Sequence, residues 1–267
     1  MSIIPPFTPI LQNPNILTNP SSPILELANY HILGRTFYYV PYISPLHPGR
    51  VLTTLGSLSA AVEVLNALGV AYFATATIST TTKGKDNYAL GQSLLRASLA
   101  LQLAVIVLFY TLAGVFHARC ARAGVLTANV RGVLVSLYAS MALILARTVY
   151  RGAEHFAAGG STTDLTPVLR YEWFFWVFEA VPMLVNAGLW NARHPMRELP
   201  RSFRRYLAQD GVTELDGPGW GDKRSLVMTV VDPFGVVSLC EKERKGERFW
   251  EENGFHHLLG GKGGQGV

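Results

Sequence analysis

The chain has 267 residues, 49% hydrophobic and only 15% charged, against roughly 25% charged in an ordinary soluble domain. Its mean hydropathy is +0.23 and its pI near 9.3. This excludes a disordered or coiled-coil chain. The bases are spread between apolar stretches with no compact aromatic-interleaved module, so no nucleic-acid partner is expected. Two cysteines, Cys120 and Cys240, are too few for a disulfide framework or a zinc site.

Residues 1–25 carry no charged side chain, so no basic leader region stands before an apolar run. Six of the 15 prolines (Pro5, Pro6, Pro9, Pro14, Pro20 and Pro23) crowd this stretch. Proline removes a backbone donor and clashes with the preceding turn, so 1–28 is expected to be an irregular N-terminus. Residues 29–195 form the expected transmembrane bundle. A spanning helix needs about 20 apolar residues, and four segments qualify, at about 51–78, 93–117, 131–152 and 169–191. The expected fold class is therefore all-α, a multi-pass transmembrane helical bundle with a flexible cytosolic tail.

Lys and Arg in the short connections set the orientation. Arg35, Arg50, Arg119, Arg122, Arg131, Arg193, Arg197, Arg201, Arg204 and Arg205 fall on one side, which makes ten. Lys83, Lys85, Arg96, Arg151 and Arg170 fall on the other, which makes five. The first side is expected to be cytosolic, with both termini inside. Trp173, Trp176 and Trp190 sit near the ends of the last span, as interfacial anchors do. The segment Met196 to Gln209 spaces Arg197, Arg201, Arg204 and Arg205 at helical intervals. It reads as an interfacial amphipathic helix whose arginines contact anionic lipid, or as a basic flank that only orients the chain. Residues 210–267 carry ten acids and seven bases and end in GGKGGQGV, which reads as a disordered tail.

The chemistry-bearing motifs are few. Gly261, Gly263 and Gly266 fit G-x-G-x-x-G, but no helix can follow them. No nucleophile–base arrangement or metal-ligand spacing stands out among the seven histidines. No catalysis, metal or cofactor is expected. Charges inside spans are different, because burying one in a bilayer costs roughly 2.5–3.5 kcal/mol on insertion scales. Arg147, Arg151 and Glu154 fall at i, i+4 and i+7 in the third span. Glu172, Glu179 and Asn186 fall at i, i+7 and i+14 in the fourth, and Glu63 and Asn66 at i and i+3 in the first. Each set lies on one helical face. The stripes are expected to face each other, Glu179 pairing with Arg147, either as a polar translocation or binding site or as a network that locks the bundle. Pro182 in the fourth span is expected to free a carbonyl near Phe178.

HILGRTFYYVPYISPLHPGRVLTTLG at 31–56, LYASMALILARTVYRGAEHF at 137–156 and RYEWFFWVFEAVPMLVNAGLWNARHP at 170–195 resemble the fungal RTA-like family, also called lipid-translocating exporters. The run Arg147 to Glu154 and the run Tyr171 to Glu179 are the most specific parts, and DGVTELDGPGW and DPFGVV in the tail are also similar. The resemblance implies a seven-span membrane protein that exports or flips sphingoid bases and gives resistance to sterol-like or amphiphilic toxicants. It implies membrane lipids and an amphiphilic small molecule as partners, and residence in the plasma membrane. A homo-oligomer is one expected assembly. Only the last four spans match. A receptor-like or stress-sensing protein, and a truncated product without transport, are the alternatives.

Overall fold

The computed structural model describes residues 21–46, 48–78, 82–158, 172–200, 202, 204–208 and 212–217. Helix α1 covers Ser21–Tyr39, α2 Pro48–Ile78, α3 Thr82–Arg122 and α4 Ala128–Ala158. A further helical run has three parts: α5 (Glu172–Phe175), a π turn (Trp176–Ala180) and α6 (Val181–Ala192). A 3-10 turn at Pro195–Arg197 leads to β1 (Arg205–Leu207), which pairs antiparallel with β2 (Glu214–Asp216). The architecture is an all-α membrane bundle with one small hairpin at its end.

Among the described residues three helices are long and apolar enough to cross a membrane: Pro48–Ala76, Gly84–Arg122 and Ala128–Glu154. They match three of the four expected spans. The described part of the fourth, from Glu172 onward, is helical but in pieces. Pro182 cannot donate to the carbonyl four residues back, and the strain is taken up by the π turn just before it. Local sequence sets the other ends. Pro48 opens α2, where a missing N–H costs nothing. Gly124, at φ +70°, turns the chain after α3. The Thr127 hydroxyl then accepts the Val130 N–H at 3.4 Å and caps α4.

The irregular reading of 1–28 fails from Ser21 onward, because α1 starts there. Pro23 sits in its first turn, where proline is tolerated. Residues 1–20 lie outside the described residues. Helix α1 is central, with Tyr30, Leu33, Phe37 and Val40 fully buried. It packs on α2 and α4. Phe37 meets Phe116 at 4.8 Å and Tyr30 meets Phe109 at 6.0 Å between ring centroids. These contacts build one core between α1, α3 and α4.

The expected amphipathic helix at 196–209 is also corrected. After the 3-10 turn its backbone carbonyls bond to α1 and the turn beyond it, not to each other. Arg35 Nη2 donates to the Pro200 carbonyl at 2.7 Å, the Tyr38 hydroxyl to that of Arg204 at 3.2 Å, and the Tyr42 hydroxyl to that of Ala208 at 3.0 Å. The Tyr39 hydroxyl donates to Glu214 at 3.1 Å. Tyr206 and Leu207 are buried under this docked hairpin, and burial pushes the Tyr206 phenol above its usual pKa. The tail from 218 onward, read as disordered, lies outside the described residues.

Candidate functional site

The polar face of α4 carries Ser136, Ser140, Arg147 and Arg151, spaced as one helical stripe. Glu179 stands opposite, inside the π turn and 2% exposed. Its Oε1 accepts from Arg147 Nη2 at 3.1 Å and from Arg151 Nη2 at 2.7 Å. Arg147 is buried, while the Arg151 side chain keeps 17% of its surface open. A π turn widens the helix by one residue and is common at functional sites. Here it places a carboxylate where both guanidiniums converge. The sequence-expected pair of Arg147 and Glu179 is therefore present, and Arg151 joins it. Glu154, one turn beyond Arg151, is half-buried and hydrogen-bonded to Tyr150.

Asn186 lies seven residues past Glu179 on the same face and is fully buried. Trp190, one turn on, donates its indole N–H to Ser140 Oγ at 3.2 Å, and the Ser140 hydroxyl donates to Asn29 Oδ1 of α1 at 3.0 Å. Sequence reasoning missed a second buried carboxylate, Glu26 of α1, which is 4% exposed. Gln102 Nε2 of α3 donates to its Oε1 at 2.6 Å. The Tyr30 and Ser59 hydroxyls lie 3.3 and 3.4 Å from its Oε2 and 2.9 Å from each other, so their two protons are shared among three contacts. Glu26 is also within electrostatic range of Arg147. The signal that could have found it is its spacing of three residues from Asn29, a polar pair on a face otherwise built of Leu33, Phe37 and Tyr30.

The third stripe does not join. Glu63 is exposed and Asn66 half-buried on α2, so they turn away from the Arg147–Glu179 contact. Gly69 and Gly91 bring α2 and α3 together, and Glu63, though exposed, is within electrostatic range of Glu26 rather than of the arginines. The Glu172 side chain lies outside the described residues, although its backbone opens α5. Arg197 and Arg204 are exposed at the end of the bundle, and Arg201 lies outside the described residues. Arg205 faces its own hairpin, 3.6 Å from both Glu214 and Asp216. The three described ones, Arg197, Arg204 and Arg205, therefore form no helical stripe. Among the described residues no group of three or more His, Cys, Asp or Glu could hold a metal ion.

A family model described as RTA1 like protein matches residues 10–202. A lipid-translocating exporter-like protein RTA1 of Leptosphaeria maculans is 43% identical over 83% of this chain and 44% of its own length. A protein of the same name from Ajellomyces capsulatus is 30% identical over 84% of this chain and 71% of its own length. A probable lipid transporter of Emericella nidulans, atnI, is 35% identical over 28% of this chain and 21% of its own length. The chain thus spans less than half of the first relative and about two thirds of the second. No solved structure matches. Its apolar spanning helices and the reach of the family match make it a multi-pass integral membrane protein, and the chain belongs to the RTA1-like family.

Proposed function

We propose that the chain serves the movement of lipid-like amphiphiles through the membrane, with Arg147, Arg151, Glu179 and Asn186 as the polar site that receives the headgroup. The observation that carries this is a buried carboxylate that holds two guanidiniums of α4, a helix apolar enough to cross the membrane. Charges so placed are expensive and mark pathways and sites more often than scaffolds. The names of the relatives, lipid-translocating exporter-like and lipid transporter, agree with it. The substrate class is sphingoid bases and sterol-like toxicants, the output is resistance to them, and ATP hydrolysis is not part of this chain's work. The working site is the plasma membrane, with the hairpin end of the bundle in the cytosol. Arg197 and Arg204 meet anionic lipid at that face, and Arg201 is assigned the same role by its spacing.

The test is outward movement of a fluorescent sphingoid base from cells expressing the full chain. Glu179→Gln keeps the shape and removes the charge. It should lower the export rate at least tenfold while the protein still reaches the membrane. Export unchanged in Glu179→Gln and in Arg151→Gln would show that the cluster is scaffold.

A further inference from the structure

A cavity of about 260 Å³ lies between α1, the first turn of α2 and the chain that follows α6. His31, Gly34, Arg35 and Tyr38 form its α1 wall. They fall at i, i+3, i+4 and i+7, so they share one helical face, ~10 Å long at 1.5 Å per residue. Pro48 and Leu52 stand on the α2 wall, and Ser202 and Arg205 on the third. Gly34 lets the first two walls meet, since a Cβ there would stand 3.1 Å from the Pro48 carbonyl oxygen. Arg35 and Tyr38 hold the third wall through the carbonyls of Pro200 and Arg204. Sites for whole small molecules run from about 300 to 1,000 Å³. This one has room for a headgroup rather than a whole amphiphile.

The lining selects the charge of the ligand. Two arginines line the cavity among the described residues, and no Asp or Glu does. Glu214 and Asp216, both exposed, sit 3.6 Å from Arg205 without lining the cavity, so Arg35 supplies most of the charge inside. The Pro200 carbonyl takes an Arg35 proton at 2.7 Å, which uses one donor of five and leaves the charge. His31 stands one turn away, within electrostatic range of Arg35. Donors therefore face the space from two sides, His31 and Arg35 on α1 and Ser202 and Arg205 across from them. A carboxylate offers two oxygens in one plane, whereas a terminal phosphate offers three around a tetrahedron. The spanning stretch of α2 begins at Pro48, so the cavity sits where apolar helix surface gives way to basic connections, at headgroup depth. We propose that this cavity binds a phosphate group, that of a phospholipid headgroup in the leaflet on the basic side of the bundle. The site is separate from the Arg147–Glu179 contact and does not rest on the transport reading.

The experiment uses the full chain purified in a neutral detergent and radiolabelled lauroyl lysophosphatidate as the probe. Binding should saturate at a single site, and binding that never saturates overturns the proposal. R35Q removes the charge on α1, and S202E adds an opposing charge at an exposed position on the third wall. Each should weaken binding at least tenfold. R122Q and A121E make the same charge changes at exposed positions near the end of α3 and should stay within twofold. Equal losses in the two pairs would show general attraction to a basic surface and overturn the cavity. Because Arg35 also holds Pro200, S202E decides alone if R35Q does not fold. Competition reads the chemistry and its source. Displacement by monolauroylglycerol, or by dodecanoate as readily as by unlabelled lysophosphatidate, overturns the phosphate assignment. Displacement by unlabelled lysophosphatidate but not by glycerol phosphate assigns the site to a lipid headgroup. Equal displacement by glycerol phosphate overturns the lipid source and leaves a site for soluble phosphate esters. Binding is read without export, so a failed export assay and a failed phosphate site are separate results.

Discussion

Glu179 Oε1 takes both Arg147 and Arg151, so the three side chains respond unequally to removal. Glu179→Ala leaves two guanidiniums without a counter-charge, and neither can readily lose its proton. It should cost about 3–5 kcal/mol, the range for breaking a buried pair. Arg147→Ala leaves the carboxylate still held by Arg151, and should cost about 1.5–3 kcal/mol, the range for one hydrogen bond to a charged group. The double change should cost less than the sum. Unfolding of the purified protein in detergent and denaturant measures all three. An Arg147→Ala loss equal to that of Glu179→Ala would show that Arg151 does not hold the carboxylate. Arg147 and Glu179 were legible in the sequence because a charge inside an apolar run has no ordinary surface to face. Glu26 was not, because its partners Gln102, Tyr30 and Ser59 are neutral residues of the kind any span contains.

Among elements, the α2–α3 pair depends on two small residues. A Cβ added at Gly91 would stand 2.9 Å from the Phe73 nitrogen and 3.0 Å from the Gly69 carbonyl oxygen, both backbone atoms. Close backbone approach at small residues is how helices associate without a hydrophobic drive between them. Gly91→Leu should therefore push the helices apart and cost about 1–3 kcal/mol, the usual range for overpacking. Gly114→Leu, where an added Cβ meets nothing within 4 Å, should cost much less. The measurement is the detergent melting temperature of the two variants, and equal losses would mean the helices are not in that contact. The spanning helices were readable as elements because length and apolarity decide them. Helix α1 and the hairpin were not, because tertiary contacts decide both. The Arg35, Tyr38 and Tyr42 donors take the carbonyls that a helix at 196–209 would have used itself.

At the scale of the whole molecule, the connections at 40–46 and 123–127 and the hairpin gather at one end of the bundle. Arg119 Nη1 reaches the Ile43 carbonyl at 3.5 Å, and a Cβ on Gly132 would touch the Glu198 carboxylate. Of the described arginines counted on the basic side, Arg35 lies in α1 bonded to Pro200, Arg50 in the first turn of α2, Arg119 and Arg122 in the last turn of α3, Arg131 in the first turn of α4, and Arg193, Arg197, Arg204 and Arg205 follow α6. An engineered glycosylation acceptor at 79–92 should be modified and one at 123–127 should not. Efficient modification at 123–127 would invert the topology. The central place of α1 carries a consequence for assembly in time. Its polar side chains find their partners only in later helices: Gln102 is 76 residues beyond Glu26, and Ser140 is 111 beyond Asn29. Its far end is tied to Pro200, 165 residues on. Closing such distant contacts is slow. A ribosome releases α1 long before α4 exists, so Glu26 and Asn29 are made without the partners that hold them in the finished bundle.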